Sequence, residues 1–316
     1  MNKAKTIFLY TMLLLLVLPL ASACTASGTA GQGGRLTVVT TVFPPYDFLR
    51  NVAGEEIGLT MLIKPGQDAH TYEPTASDAR LLAGCDLFVC IGGVSDYPFE
   101  KLIASSGKEV PVLRLMDFVE PLCIEGEDDH AHESGEAHEH THTHDTDEHI
   151  WTSPKNAMLM VTAIEEALCE IAPDKTDTFR ANAEAYREKL TALDQACEAC
   201  FSTPRTLIFG DRFPFLYLAH DYGFSYLAAF EGCSDQTEPS AKAVAAITDR
   251  LRRGDIRQIY YTEASAGRIA DAIAAEAGVH TALLHSCHTL SEEELAAGLD
   301  YITLMERNLK TIREGG

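Results

Sequence analysis

Basic residues are scarce in this chain: 25 Lys and Arg stand against 47 Asp and Glu, a formal net charge of −22. That balance excludes nucleic acid as a partner, because phosphate binding rests on Lys and Arg displacing counterions. Hydrolase signatures are lacking too. No HExxH sequence falls on a helical pattern and no GxSxG elbow is present, so the sequence gives no support to an enzyme. Beyond Leu20 no apolar run is long enough to cross a bilayer. What is present is an ordinary hydrophobic share, 46 %, enough for a globular core.

The first residues speak of export. Lys3 and Lys5 precede an apolar run over residues 7–20, the length of a signal-peptide core, and small residues Ala21, Ser22 and Ala23 lead to Cys24. A cysteine at that place resembles a bacterial lipobox. Residues 1–23 are therefore expected to be a signal peptide, with Cys24 lipidated. Residues 24–35 form a polar tether, and the mature chain is held at the outer face of the cell membrane by acyl chains. Of nine cysteines, Cys197 and Cys200 fall three apart in a helical stretch with no second CxxC, which reads as a helix face and not as a zinc ribbon. Cys233 and Cys287 both follow strands of the second half and are expected to form a disulfide.

From residue 36 onward β-branched runs alternate with helical patterns, the signature of parallel βαβ units. Strands are expected at 36–42, 57–63, 86–91 and 112–115, with helices at 46–52 and 77–83, the latter capped by Ser77. Helices at 154–171 and 174–201 follow. The alternation then restarts with strands at 206–209, 225–229, 258–262 and 281–284, and helices at 214–222, 240–253, 266–277 and 291–313. The expected fold is α/β: two Rossmann-like lobes, residues 36–172 and 204–316, each a parallel sheet flanked by helices. A long rigid helix within 173–203 joins them, with a metal site in the cleft between. Residues 125–148 consist almost wholly of His, Asp, Glu, Thr, Gly, Ser and Ala. Such a segment cannot bury enough apolar surface to offset its ordering entropy and is expected to be disordered.

That segment carries His130, His132, His138, His140, His142 and His144. Neutral imidazole is a good ligand for zinc, copper and nickel, so the segment is expected to gather metal loosely. A tight site needs ligands on rigid elements. His70 lies in a loop after a strand, His149 at the entry to a helix, and Asp211 and His285 directly after strands of the second half. Loops at strand carboxyl ends are where open α/β sheets bind ligands. Taken singly each residue has ordinary structural roles; their shared placement points to one ion. His288 competes with His285 for the fourth place, and Glu263 is either a further candidate or a partner behind the ligands.

From Leu36 to its end the chain resembles the zinc/manganese-binding family of ABC-transporter solute-binding proteins. GQDAHTYEP, residues 66–74, is similar to the family's first-ligand loop, and HIWTSPKNA, residues 149–157, to its second-ligand motif. GDRFPFLYLAHDYG, residues 210–223, puts Asp211 in the third ligand's place, and His285 falls at the fourth. The resemblance implies a monomeric receptor that binds a divalent metal and hands it to an ABC transporter permease, without bond chemistry. Three imidazoles and one carboxylate suit tetrahedral Zn2+; Mn2+, which prefers more oxygen, is the second choice. A surface adhesin or metal buffer using the same lipid anchor is the alternative.

Overall fold

The computed structural model describes residues 35–123, 146–230 and 238–315. Cys24, the tether, the six histidines between 130 and 144, and Cys233 lie outside the described residues. Among the described residues, strands β1 (Leu36–Thr40), β2 (Ile57–Met61), β3 (Leu87–Cys90) and β4 (Val112–Arg114) form one parallel sheet in the order β2-β1-β3-β4. Strands β5 (Thr206–Phe209), β6 (Ser225–Ala228), β7 (Gln258–Tyr261) and β8 (His280–Leu283) form a second in the order β6-β5-β7-β8. The central strands explain themselves. β3 (LFVC) is buried along its whole length, as a parallel strand covered on both faces must be. β1 pairs on both sides, Val38 lying beside Leu59 and Leu87.

The helices are α1 (Phe43–Ala53), α2 (Ala76–Leu82), α3 (Tyr97–Ser105), α4 (Pro154–Ile171), α5 (Thr176–Cys200), α6 (Leu216–Tyr222), α7 (Ala241–Leu251), α8 (Arg268–Ala277), α9 (Glu292–Ala296) and α10 (Tyr301–Gly315). Several differ from the sequence expectation for local reasons. α1 begins at Phe43 because prolines are tolerated in a first helical turn, where the missing N–H would lack a partner anyway. α2 is capped by Thr75, not Ser77: the Thr75 hydroxyl accepts from Ser77 and Asp78, and Asp78 answers to the Thr75 backbone. α3 was not expected at all. The expected closing helix 291–313 is two helices, with Gly298 at φ +71° between them.

α5 runs 25 residues, about 37 Å at 1.5 Å per residue, and packs on α1, α4 and α10. Its tie to both halves is polar as well as apolar. Asp47 of α1, fully buried, accepts from Arg50 Nε (2.7 Å), from the Tyr186 hydroxyl of α5 (2.9 Å) and from the Tyr301 backbone N–H of α10 (3.2 Å). Burial pushes the Asp47 carboxyl up while Arg50 and these hydrogen bonds pull it back. From Leu36 onward the chain is one unit, and residues that follow β2, β5, β7 and β8 line one cavity.

Candidate metal site

His70 sits on the loop after β2. Pairing with β1 continues past the strand, Leu62 to Thr40 and Ile63 to Thr41, before the chain turns. Asp68 then accepts from the His70 backbone N–H at 2.9 Å and fixes the turn on which the ring is carried. The Ser95 hydroxyl, beyond β3, lies 3.3 Å from His70 Nδ1.

His149 is held from the other side of the histidine-rich segment, whose two ends meet in a Cys123–Thr146 bridge. The described chain takes up again at Thr146, ahead of Ile150. Asp147 Oδ1 accepts both the His149 backbone N–H (2.7 Å) and His149 Nδ1 (3.0 Å). Glu148, expected to be disordered, accepts from the Ser95 backbone N–H at 3.0 Å. A 3-10 turn, Ile150–Thr152, and the Ser153 cap then lead into α4.

The loop after β8 decides the third position. His285 is drawn inward: its N–H donates to Asn308 Oδ1 and its carbonyl accepts from Asn308 Nδ2, both at 2.7 Å. His285 Nδ1 accepts from the Cys287 N–H at 2.9 Å, and the ring, 3 % exposed, lies between Glu263 and Glu294 at 3.6 and 3.7 Å. Cys287 has φ +62°, the left-handed region that a non-glycine residue seldom adopts. The turn it makes sends His288 the other way. Glu263, at the end of β7, braces this loop by accepting from the Ser286 N–H (2.7 Å) and hydroxyl (2.5 Å), and Ser286 Oγ in turn accepts from the His288 N–H. Trp151 Nε1 donates to the Ser286 carbonyl at 2.8 Å and ties the loop to the first half.

Three imidazoles meet as a result. One ring nitrogen from each of His70, His149 and His288 lies within 4.8 Å of the others. Ring centroids are 5.7 Å apart for His70–His149, 5.0 Å for His70–His288 and 5.3 Å for His149–His288. The Trp151 indole lies 5.2 Å from His149 and 5.0 Å from His288, walling the cluster on one side. His285, expected as a ligand, is not in this group; His288 stands there. Burial pushes the His288 ring well down from its ordinary pKa, and the two neighbouring imidazoles push the same way. His70 is lowered chiefly by burial, then by His149, with Asp68 and Glu148 opposing. Rings held neutral present lone pairs, the form a metal takes.

Asp211 lines the same cavity, of about 60 Å3, with Arg212, Thr262 and the three histidines. It is not one of the clustered ligand groups among the described residues. Its Oδ2 accepts the Thr262 N–H (3.0 Å) and hydroxyl (2.8 Å), and its Oδ1 the Arg212 N–H (2.9 Å). Glu263, bonded to Ser286, is not in the clustered group either. The expected Cys233–Cys287 disulfide is not formed: Cys287 is a buried free thiol, its Sγ 3.8 Å from the His285 carbonyl, while Cys233 is outside the described residues. Asp147 and Trp151 were missed by the sequence reading. An aspartate two residues before a histidine was the available signal for the first, hidden in an acidic run.

This architecture is the one found in solved solute-binding proteins. The zinc-bound ZnuA-like domain of Streptococcus pneumoniae AdcA superposes with a TM-score of 0.73 at 33 % identity, over 89 % of this chain and 99 % of that domain. The metal-dependent lipoprotein YcdH of Bacillus subtilis superposes at 0.71 with 26 % identity, over 89 % and 98 %. Two parallel sheets with a long helix between them thus define a two-lobed solute-binding protein. The family model described as "Zinc-uptake complex component A periplasmic" matches residues 38–315, and the chain belongs to that family. Among relatives, the zinc-binding lipoprotein AdcA of S. pneumoniae is 35 % identical over 305 residues, and the high-affinity zinc uptake system protein ZnuA of B. subtilis 30 % over 304. The match takes in 93 % of this chain in both cases and 93 % of the B. subtilis protein, but the chain spans only 60 % of AdcA's length.

Proposed function

We propose that this chain captures Zn2+ outside the cytoplasm and delivers it to the permease of an ABC-type importer. The observation that carries the reading is the convergence of His70, His149 and His288, from both halves of the chain, to within 4.8 Å. Three imidazoles favour zinc over manganese, which asks for more oxygen. A tetrahedral ion has one further place, assigned in this reading to Asp211, through the second lone pair of Oδ1 or through a water. Relatives named as zinc-binding and zinc-uptake proteins support the same choice of metal. Mn2+ is the weaker cargo.

Capture and release involve no bond chemistry, and the chain acts as a monomeric transport component. Its proposed location is the outer face of the membrane, with Cys24 as the acylated residue; a relative named as a lipoprotein supports this. The histidines from His130 to His144 raise the local metal concentration. Titrating the metal-free protein with Zn2+ against a chromophoric chelator tests the core of the reading. One tight ion per chain, surviving replacement of the six segment histidines by Asn, is expected. Tight binding that disappears with those six histidines, or tighter binding of Mn2+, would overturn it.

A further inference from the structure

Asp147 is buried, 2 % exposed, and its surroundings leave it no freedom. Its backbone N–H donates to the Leu122 carbonyl at 2.9 Å, and its own carbonyl accepts from the Tyr217 hydroxyl at 2.9 Å. That hydroxyl accepts from the Leu122 N–H at 3.1 Å, closing a ring of hydrogen bonds with α6. From this anchored position one oxygen, Oδ1, takes both the backbone and the ring N–H of the residue two places on, His149. The other oxygen, Oδ2, is buried and has no hydrogen-bond partner among the described residues.

Each fact bears on the ring. The carboxyl oxygen that already accepts the backbone N–H faces Nδ1 as an acceptor too, so Nδ1 of His149 is the protonated nitrogen and the lone pair of the neutral ring is on Nε2. The two bonds to one oxygen set both the backbone turn and the ring's orientation. A buried carboxylate with one oxygen unpaired is costly. An imidazole carrying a divalent cation on Nε2 has a more positive N–H and makes a stronger bond to Oδ1.

We propose that Asp147 is a positioning residue for metal capture: it fixes His149 in the Nδ1–H tautomer and aims Nε2 at the His70–His288 pair. The proposal rests on the zinc-receptor reading and specifies how one of its ligands is prepared. Partners of this kind behind a ligating histidine change metal affinity by about 10- to 100-fold when altered.

The test is Asp147→Asn, which keeps an oxygen for the His149 backbone N–H but removes the charge and the acceptor-only character. Zn2+ affinity is measured by chelator competition for wild type, Asp147→Asn, His149→Ala and the double variant. The His149 tautomer is read by nitrogen-15 NMR on the metal-free proteins. The expected result has three parts: an Nδ1–H tautomer in wild type that becomes mixed in Asp147→Asn, a 10- to 100-fold affinity loss with the melting temperature held, and no further loss when Asp147→Asn is added to His149→Ala. An Nε2–H tautomer in wild type, an affinity within twofold, or an equal loss in the His149→Ala background would overturn the proposal. Wild type failing to bind Zn2+ at all would sink the receptor reading, while the tautomer spectra would still decide the role of Asp147.

Discussion

Replacing His288 should cripple zinc capture, while the corresponding change at His285 should not, although the two residues sit three apart on one loop. The geometry sets the contrast. His288 offers a ring nitrogen within 4.8 Å of those of His70 and His149, whereas His285 turns inward and spends Nδ1 on the Cys287 N–H. Four-ligand structural zinc sites bind with about 10–16 kcal/mol, or roughly 3 kcal/mol per ligand. At about 1.4 kcal/mol per factor of ten, His288→Ala should weaken Zn2+ binding by about a hundredfold. The control is His285→Asn, because the Asn oxygen can replace Nδ1 as acceptor for Cys287 and keep the left-handed turn. It should lower the melting temperature, since it disturbs a buried ring, and leave affinity within a few-fold of wild type. Chelator competition at constant ionic strength measures both. A hundredfold loss for His285→Asn beside a mild effect for His288→Ala would refute the assignment of the third imidazole.

Other expectations follow from neighbouring contacts. Trp151→Phe leaves the Ser286 carbonyl without its donor, which should cost about 1–3 kcal/mol of stability and loosen the His288 loop; denaturant unfolding and zinc titration should both move. Gly210→Ala would place a Cβ 2.4 Å from the Ala270 Cα and 2.7 Å from its Cβ, so destabilisation by about 1–3 kcal/mol is expected, and an unchanged melting temperature would show that β5 and α8 are not so closely packed. His70 and His288 have folded-state pKa values below the ordinary imidazole value of 6.5. The unfolded chain therefore takes up protons first as pH falls below that value, and the metal-free protein should keep its full contribution above pH 6.5 and lose it toward the lower folded values. Melting curves of the metal-free protein that stay flat from pH 7 to pH 5 would contradict this.

The parallel sheets were legible because their strands are apolar runs bounded by turns, as in LTVVT and LFVC, and because strand and helix alternate twice along the chain. α3 was invisible because GGVSDYP reads as a turn, although Pro98 stands in a first helical turn where it is permitted. His70 and His149 could be named from their motifs. The clustering of His288 with them, in place of His285, could not, since it turns on the left-handed backbone of Cys287, a non-glycine residue whose local sequence gives no warning of it. Asp147 and Glu148 were lost in an acidic, histidine-rich run; their order comes from Leu122, Tyr217 and Ser95, all distant in sequence.

In the proposed function His70, His149 and His288 close on one ion. Anomalous diffraction at the zinc edge from crystals of the zinc-loaded protein tests it most directly. A single strong peak is expected, with the three ring nitrogens about 2.0–2.1 Å away, as imidazole–zinc bonds require. A peak bound by His285, or one lying away from His70 and His149, would contradict it.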